Sequence, residues 1–223
     1  MAGSNPDNRV VTLQGAAPRA IEWAAERLAA GGVVALPTDT VYGIAASLSH
    51  PEALRRLFAI KGRPPGKPVP VLISSSAMVP HLTTALSPEV GLLLDHYWPG
   101  PLTVLLPARD GMPPEVLGDG HVIGLRVPNH PLAIEVIERA GGAVACTSAN
   151  RSGLPPACSA HDVAEAIGPD LDMILDGGRC PGGVVSTVIG FTGDDVRVLR
   201  EGVIPGGHVV CVWRTIVAGR QTP

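Results

Sequence analysis

Two groups of residues carry most of the chemistry open to this chain. The first is a turn, Thr38-Asp39-Thr40, followed by three cations, Lys61, Arg63 and Lys67, on a loop that contains Pro64, Pro65 and Pro68. Proline fixes φ and biases the preceding residue toward extended backbone, so these charges sit on a restrained segment. An arginine fork and lysine point charges held in that way suit the oxygens of a polyphosphate. Lys61 also falls where a helix should end, and complementing the helix dipole is a second use for it; Arg63 and Lys67 lie beyond that helix. The second group is a recurrence. Arg126 closes one apolar run, Thr147, Ser148 and Asn150 follow another, and Ser186-Thr187 begin a third. Open α/β sheets bind ligands at strand ends, so polar residues repeated there outline a pocket. Neither G-x-x-x-x-G-K-[ST] nor G-x-G-x-x-G occurs, which removes the Walker and Rossmann routes as motif matches.

These residues need a scaffold, and hydrophobic periodicity supplies one. Val10–Leu13 reads as a short strand, and a helix follows from Pro18 with Ile21, Ala24, Ala25 and Leu28 on one face. Gly31-Gly32 stops it, and 33–36 is a continuous apolar strand of the kind covered on both faces. Ser49 with Glu52 has capping-box spacing for a second helix, buried through Leu54, Leu57 and Phe58. The strand at 69–73 contains Pro70, which predicts an edge or irregular position. Ser87-Pro88 opens a helix with Leu92, Leu93 and His96 inward, ending at Trp98-Pro99-Gly100-Pro101. Strands are expected at 102–106 and 122–127, with a Gly/Pro-rich loop from 107 to 120 between them. A helix from Pro131 and a strand at 143–147 follow, then a helix opened by Ser159 and Asp162. Late strands are expected at 173–175, 187–191, 196–199 and 209–213. Several late connections are too short for crossover helices, so the fold class is α/β with a twisted, mixed parallel and antiparallel sheet and flanking helices.

The bulk composition excludes several classes. With 45% hydrophobic residues in 223, the chain can bury one substantial core. Aromatic content of 3% leaves few rings for stacking bases, and a formal charge of −3 argues against nucleic-acid binding by bulk charge. Cys146, Cys158, Cys180 and Cys211 form no C-x-x-C pair, and Cys158 with His161 is at most half a metal site, so no metal ligands are assigned. The opening MAGSNPDNRV has no apolar h-region, and no run of about 18 apolar residues occurs. A soluble, cytoplasmic protein without a membrane partner is expected.

The motifs are recognisable as a set. Pro37-Thr38-Asp39-Thr40-Val41-Tyr42-Gly43, Lys61-Gly62-Arg63-Pro64, Lys67-Pro68, Trp98-Pro99-Gly100-Pro101-Leu102-Thr103, Arg126-Val127-Pro128, Ser148-Ala149-Asn150 with Ser152-Gly153, Ser186-Thr187-Val188 and Leu199-Arg200-Glu201-Gly202 occur in this order. Together they resemble the YrdC-type threonylcarbamoyl-AMP synthases, from about Ile21 to Ile204. The resemblance implies a YrdC-like fold, with helices and a twisted sheet around a large concave cavity. It implies condensation of L-threonine, bicarbonate or carbon dioxide, and ATP into threonylcarbamoyl-AMP, with pyrophosphate released and Mg2+ accompanying ATP. A partner transferase would then modify an adenosine beside the anticodon of tRNA.

Carried over by position, the resemblance places Thr40, Arg126, Cys146 and Ser186 on L-threonine, Arg126 through the carboxylate. It places Arg63, Lys67, Gly124, Ser148, Pro156 and Arg200 on ATP, and gives Lys61 and Arg63 the catalytic charge. Many members carry histidine nine residues after the motif arginine, where this chain has Leu72. The implied organisation is a frayed 1–9, a catalytic domain at 10–205 and a C-terminal extension at 206–223 with one possible strand. The length matches the single-domain form, expected to be a monomer. Two other readings stay open at this point: an RNA-binding module using the same basic surface, and a paralogue acting on a different carbamoyl-adenylate.

Overall fold

Consecutive buried aliphatics leave a strand no solvent face, and β2 (Val34–Leu36) meets that condition by lying inside the sheet. It pairs in parallel with β9 (Met173–Asp176) and antiparallel with β3 (Gly43–Ser47). The computed structural model describes residues 11–14, 18–64, 66–84 and 86–219. The expected fraying of residues 1–9 therefore lies outside the described residues. Further strands are β1 (Val11–Gln14), β4 (Val71–Ile73), β5 (Leu102–Pro107), β6 (Leu117–Gly118), β7 (Val122–Arg126), β8 (Ala143–Ser148), β10 (Thr187–Thr192) and β11 (Asp195–Arg200). Among the described residues they form one sheet in the order β1-β9-β2-β3-β8-β4-β7-β5-β10-β11, with β6 beside β7. The pairings β1–β9, β2–β9, β4–β7 and β5–β10 are parallel and the others antiparallel, so the sheet is mixed as expected.

The helices are α1 (Pro18–Ala29), α2 (Pro51–Lys61), α3 (Val79–Leu82), α4 (Pro88–Tyr97), α5 (Pro131–Arg139), α6 (Ala160–Ile167) and α7 (Gly206–Gly219). Alternation along the strands separates two cores. Ala35, Ile44, Val71 and Ala145 face the α2, α4, α6 and α7 side, while Val34, Ala45, Leu72, Val144 and Cys146 face α1 and α5. The second core contains no residue of β5, β7, β10 or β11. Over those strands the α1–α5 layer stops, and a concavity is left on the sheet.

Four local expectations are corrected. The stretch 209–213 is not a strand but part of α7. Gly206 N–H donates to Glu201 at the start of this helix, and Val209 and Trp213, one turn apart, are its buried contacts. β4 is interior, between β8 and β7, because Pro70 lies just outside it and its carbonyl accepts from Cys146 N–H at 2.8 Å. The cap of α2 is His50 rather than Ser49, with no side-chain capping bond, and Glu52 instead meets His50 Nδ1 at 3.0 Å. In α4, Leu93 is buried but Leu92 is 57% exposed and His96 is exposed. The strand β3 was not read from the sequence. The capping of α4 by Ser87 and the capping box of Ser159 with Asp162 are present as expected.

Gly43 ties this sheet to the concavity. A Cβ at Gly43 would lie 2.5 Å from Cys146 Sγ on the neighbouring strand. Gly43→Ala is therefore expected to destabilise the fold by about 1–3 kcal/mol through overpacking. Adding Cys146→Ala should recover most of that loss. Denaturant titration of the single and double variants gives the coupling directly.

Candidate active site

The turn between β2 and β3 is closed by one hydroxyl. Thr38 Oγ1 accepts from the backbone N–H groups of Thr40 and Val41, at 3.1 and 3.3 Å, and donates to Val41 O at 2.7 Å. The two threonine hydroxyls lie 2.9 Å apart, and either can be the donor. Thr40 Oγ1 in turn accepts from Arg126 Nη1 at 3.2 Å. Arg126 ends β7 and is 5% exposed. Its Nε donates to Gly100 O at 2.9 Å, at the corner after the cis Trp98–Pro99 peptide, and its Nη2 pairs with Asp39 Oδ1. Guanidinium has five donors, and these contacts leave one proton on each terminal nitrogen for a ligand. Burial pushes the Arg126 pKa down, and Asp39 opposes the shift.

Lys61 closes α2 and points under β8. Its ammonium donates to Ser148 O at 2.7 Å, Ser148 Oγ at 2.9 Å and Asn150 Oδ1 at 2.5 Å. All three protons are used on uncharged acceptors, and among the described residues no carboxylate pairs with it. Burial, with Arg63 as the next cause, brings its pKa down to about 8. Because Ser148 Oγ accepts from Lys61, the Ser148 proton is free to be presented elsewhere. Asn150 holds the following loop through Arg151 O and Leu154 O.

Ser148, Thr40 and Arg126 meet Arg63, Arg200, Ser186, Thr38, Thr103 and Cys146 around one open cavity of about 120 Å³. Arg63 spends Nε and Nη2 on Lys67 O and Pro68 O, both at 2.7 Å, curling the basic loop around its own side chain. Arg200 donates to Ser186 O at 2.8 Å and Ser186 Oγ at 3.1 Å, and Ser186 Oγ lies 2.8 Å from Thr103 Oγ1. Burial lowers the pKa of Arg200, and the nearby Arg126 and Arg63 lower it further. The charged residues lining this cavity are all arginines. Leu72 forms part of the wall and is in register with Arg126. The Cys146 thiol is pushed up to about 12 by burial, so it is a neutral wall atom rather than a nucleophile.

A second concavity of about 190 Å³ shares Arg63, Pro70, Thr103 and Arg200 with the first. Leu105, Val116, Val122, Val188, Gly118 and Gly124 make it more apolar. The two compartments thus meet at a pair of guanidiniums.

The sequence-predicted residues divide as follows. Thr40, Arg63, Arg126, Cys146, Ser148, Ser186 and Arg200 line the first cavity, and Gly124 lines the second. Lys61 acts from behind Ser148. Lys67 is exposed and lines neither cavity; its carbonyl, not its ammonium, is the atom engaged by Arg63. Pro156 is in the loop after β8 and lines neither cavity. Sequence reasoning assigned no role to Thr103, Val185 or Pro70, which complete the walls. Thr103 was legible only as a motif member, and β5 alternation would have placed it on this face.

The Sua5/YciO/YrdC family model, described as telomere recombination, matches residues 26–202. The chain is 38% identical over 188 residues to the threonylcarbamoyl-AMP synthase of Pyrococcus abyssi, covering 82% of this chain and 55% of that protein. It is 42% identical over 158 residues to the threonylcarbamoyl-AMP synthase of Alkalilimnicola ehrlichii, covering 70% of this chain and 81% of that protein. The crystal structure of P. abyssi Sua5 complexed with L-threonine matches with a TM-score of 0.85 at 35% identity, over 91% of this chain and 60% of that one. The chain spans about half the length of the first curated relatives it matches.

The buried Lys61 sets a pH dependence of known sign. Below about pH 8 it is an ammonium with three acceptors, and above that value it loses a donor and its charge. Binding of inorganic tripolyphosphate, measured by calorimetry, should weaken as pH rises through about 8. Deprotonation of the anion itself would act in the opposite direction. Lys61→Met should bind about tenfold more weakly at pH 7 and lose that pH dependence.

Proposed function

The chain belongs to the Sua5/YciO/YrdC family, and from that premise we propose that it condenses L-threonine, bicarbonate-derived carbon dioxide and ATP into threonylcarbamoyl-AMP and pyrophosphate. The observation that carries this reading is the convergence of Arg63, Arg126 and Arg200 on adjoining compartments, with only Arg126 ion-paired among the described residues. Arg126 has one unused proton on each terminal nitrogen to offer an α-carboxylate, and Thr40 supports it from the turn. Arg63 and Arg200, at the junction, suit the triphosphate, and the apolar second compartment suits the nucleoside.

The reaction asks for placement more than for covalent help. The neutral amine attacks the carbon of carbon dioxide, loses a proton and becomes a carbamate. A carbamate oxygen then attacks the α-phosphorus in line, forming one P–O bond while the bond to the pyrophosphate oxygen breaks. Charge grows on the departing pyrophosphate, where fixed guanidiniums are most effective. Ser148, whose hydroxyl is polarised by Lys61, can donate to a phosphate oxygen. Magnesium would enter with ATP as part of the substrate; among the described residues the cavity walls offer it no carboxylate, so phosphates and waters would hold it. The product would pass to a transferase that modifies tRNA beside the anticodon. We place this catalytic unit in the cytoplasm as a monomer. Among the described residues no helix is long and apolar enough to cross a membrane.

Leu72 favours a second reading within the same chemistry. It gives the amino-acid compartment an apolar wall beside Arg126, which fits an amino acid other than threonine and hence a different carbamoyl-adenylate.

Pyrophosphate release, measured with each co-substrate omitted in turn, tests the proposal. Release should require ATP, bicarbonate and L-threonine together, and release indifferent to both threonine and bicarbonate would defeat it. A panel of L-amino acids in the same assay decides between the two readings. Arg63→Ala should lower turnover by about a hundredfold or more. Its melting temperature should stay within about 3 °C of the parent, since the described hydrogen bonds of this side chain reach only its own loop.

A further inference from the structure

Asp39 has no part in the reaction just described, yet among the described residues it is the one carboxylate ion-paired to an arginine of the cavity. It does not line the cavity, and its side chain is 12% exposed. Oδ1 accepts from Arg126 Nη2, while Oδ2 is buried without a hydrogen-bond partner among the described residues. His130 and Cys180 are near enough to sense its charge, but neither bonds to it, and His130 Nδ1 is itself buried and unpartnered. The described side-chain hydrogen bonding of this carboxylate therefore goes to one guanidinium.

A purely structural use is hard to assign. The turn is already closed by the Thr38 hydroxyl through its bonds with Thr40 and Val41. The Arg126 backbone is held in the sheet at the end of β7, in register with β4. The guanidinium itself is anchored by Gly100 O and Thr40 Oγ1 without Asp39. What Asp39 adds is charge. A carboxylate at ion-pair distance weakens the pull of a guanidinium on a further anion, most of all on a highly charged one, whereas an unpaired guanidinium attracts any anion at full strength. Arg63 and Arg200 have no such partner among the described residues and lie in the same continuous space.

We propose that Asp39 is a specificity-determining residue: by neutralising Arg126 it reserves that guanidinium for a zwitterionic amino acid and keeps polyphosphate anions on Arg63 and Arg200. This rests on the proposed adenylate-forming reaction, in which a small zwitterion and a highly charged anion must occupy neighbouring sites without exchanging them. Arg126 without Asp39 would be a third uncompensated cation in one cavity, and a triphosphate could slide into the amino-acid end.

The test is the inhibition pattern of inorganic tripolyphosphate against varied L-threonine at saturating ATP. In the unaltered protein it should not compete with L-threonine. In Asp39→Asn, which keeps an oxygen for Arg126 Nη2 but removes the charge, it should become competitive, with at least a tenfold lower inhibition constant. Asp39→Glu should restore the parent pattern. Competition with L-threonine in the unaltered protein overturns the inference without any variant. So does an Asp39→Asn variant whose pattern and constant match the parent, or one in which kcat and every KM deteriorate alike, the mark of a structural role. If L-threonine supports no pyrophosphate release in the unaltered protein, the proposed function fails and this inference falls with it. If threonine-dependent release is present and the Asp39→Asn pattern is unchanged, only the inference fails.

Discussion

Unbalanced positive charge is the constraint that organises this molecule. Lys61, Arg63, Arg126 and Arg200 are gathered from α2, the following loop, β7 and β11, and only Arg126 has an acidic partner among the described residues. Charges brought that close to an apolar sheet must be hydrogen-bonded wherever they are not solvated. The backbone largely does this. Ser148 O, Lys67 O, Pro68 O, Gly100 O and Ser186 O each accept from one of the four cations. Carbonyls fix the direction of a cation without cancelling its charge. The cavity therefore keeps its pull on anions while its side chains stay in place.

The topology explains how carbonyls become available. A sheet mixing parallel and antiparallel pairings brings strand ends and reversals into one region, and backbone groups there are not consumed by the ladder. Arg63, Val185 and Ser186 line the cavity where the α1–α5 layer stops, and Gly100 O reaches it through Arg126. Gly43 contributes by omission, since a side chain there would strike Cys146. Among the described residues the α1–α5 core includes no residue of β5, β7 or β10, and that gap is the opening of the site.

Much of this was legible in the sequence where the signal was local. Strands made of consecutive buried aliphatics, the capping of α4 and α6, and the polar residues at strand ends could be read because each depends on near neighbours. β3 escaped because Gly43, Ala45 and Ala46 give weak strand propensity, and its place is decided by pairing with β2 and β8. β4 was misplaced at an edge because Pro70 was taken to break the ladder, whereas its carbonyl is what the ladder uses. α7 misled through its β-branched residues; packing of Trp213 against Phe191, at 5.2 Å between rings, outweighs that propensity. In the site, Arg63 and Arg126 could be named from type and spacing. That Lys61 would spend all its protons on Ser148 and Asn150, and that Lys67 would offer a carbonyl rather than its charge, could not be read. These contacts join residues far apart in the chain or depend on the curl of one loop.

The central claim is that one cavity holds an amino acid at Arg126 and a triphosphate at Arg63 and Arg200 at the same time. A crystal structure with L-threonine and a non-hydrolysable ATP analogue tests it most directly. The account predicts the threonine carboxylate on the two free protons of Arg126, the phosphates between Arg63 and Arg200, and the nucleoside in the compartment lined by Gly118 and Gly124. Threonine or nucleotide bound outside these compartments, or phosphates seated on Arg126, would contradict it.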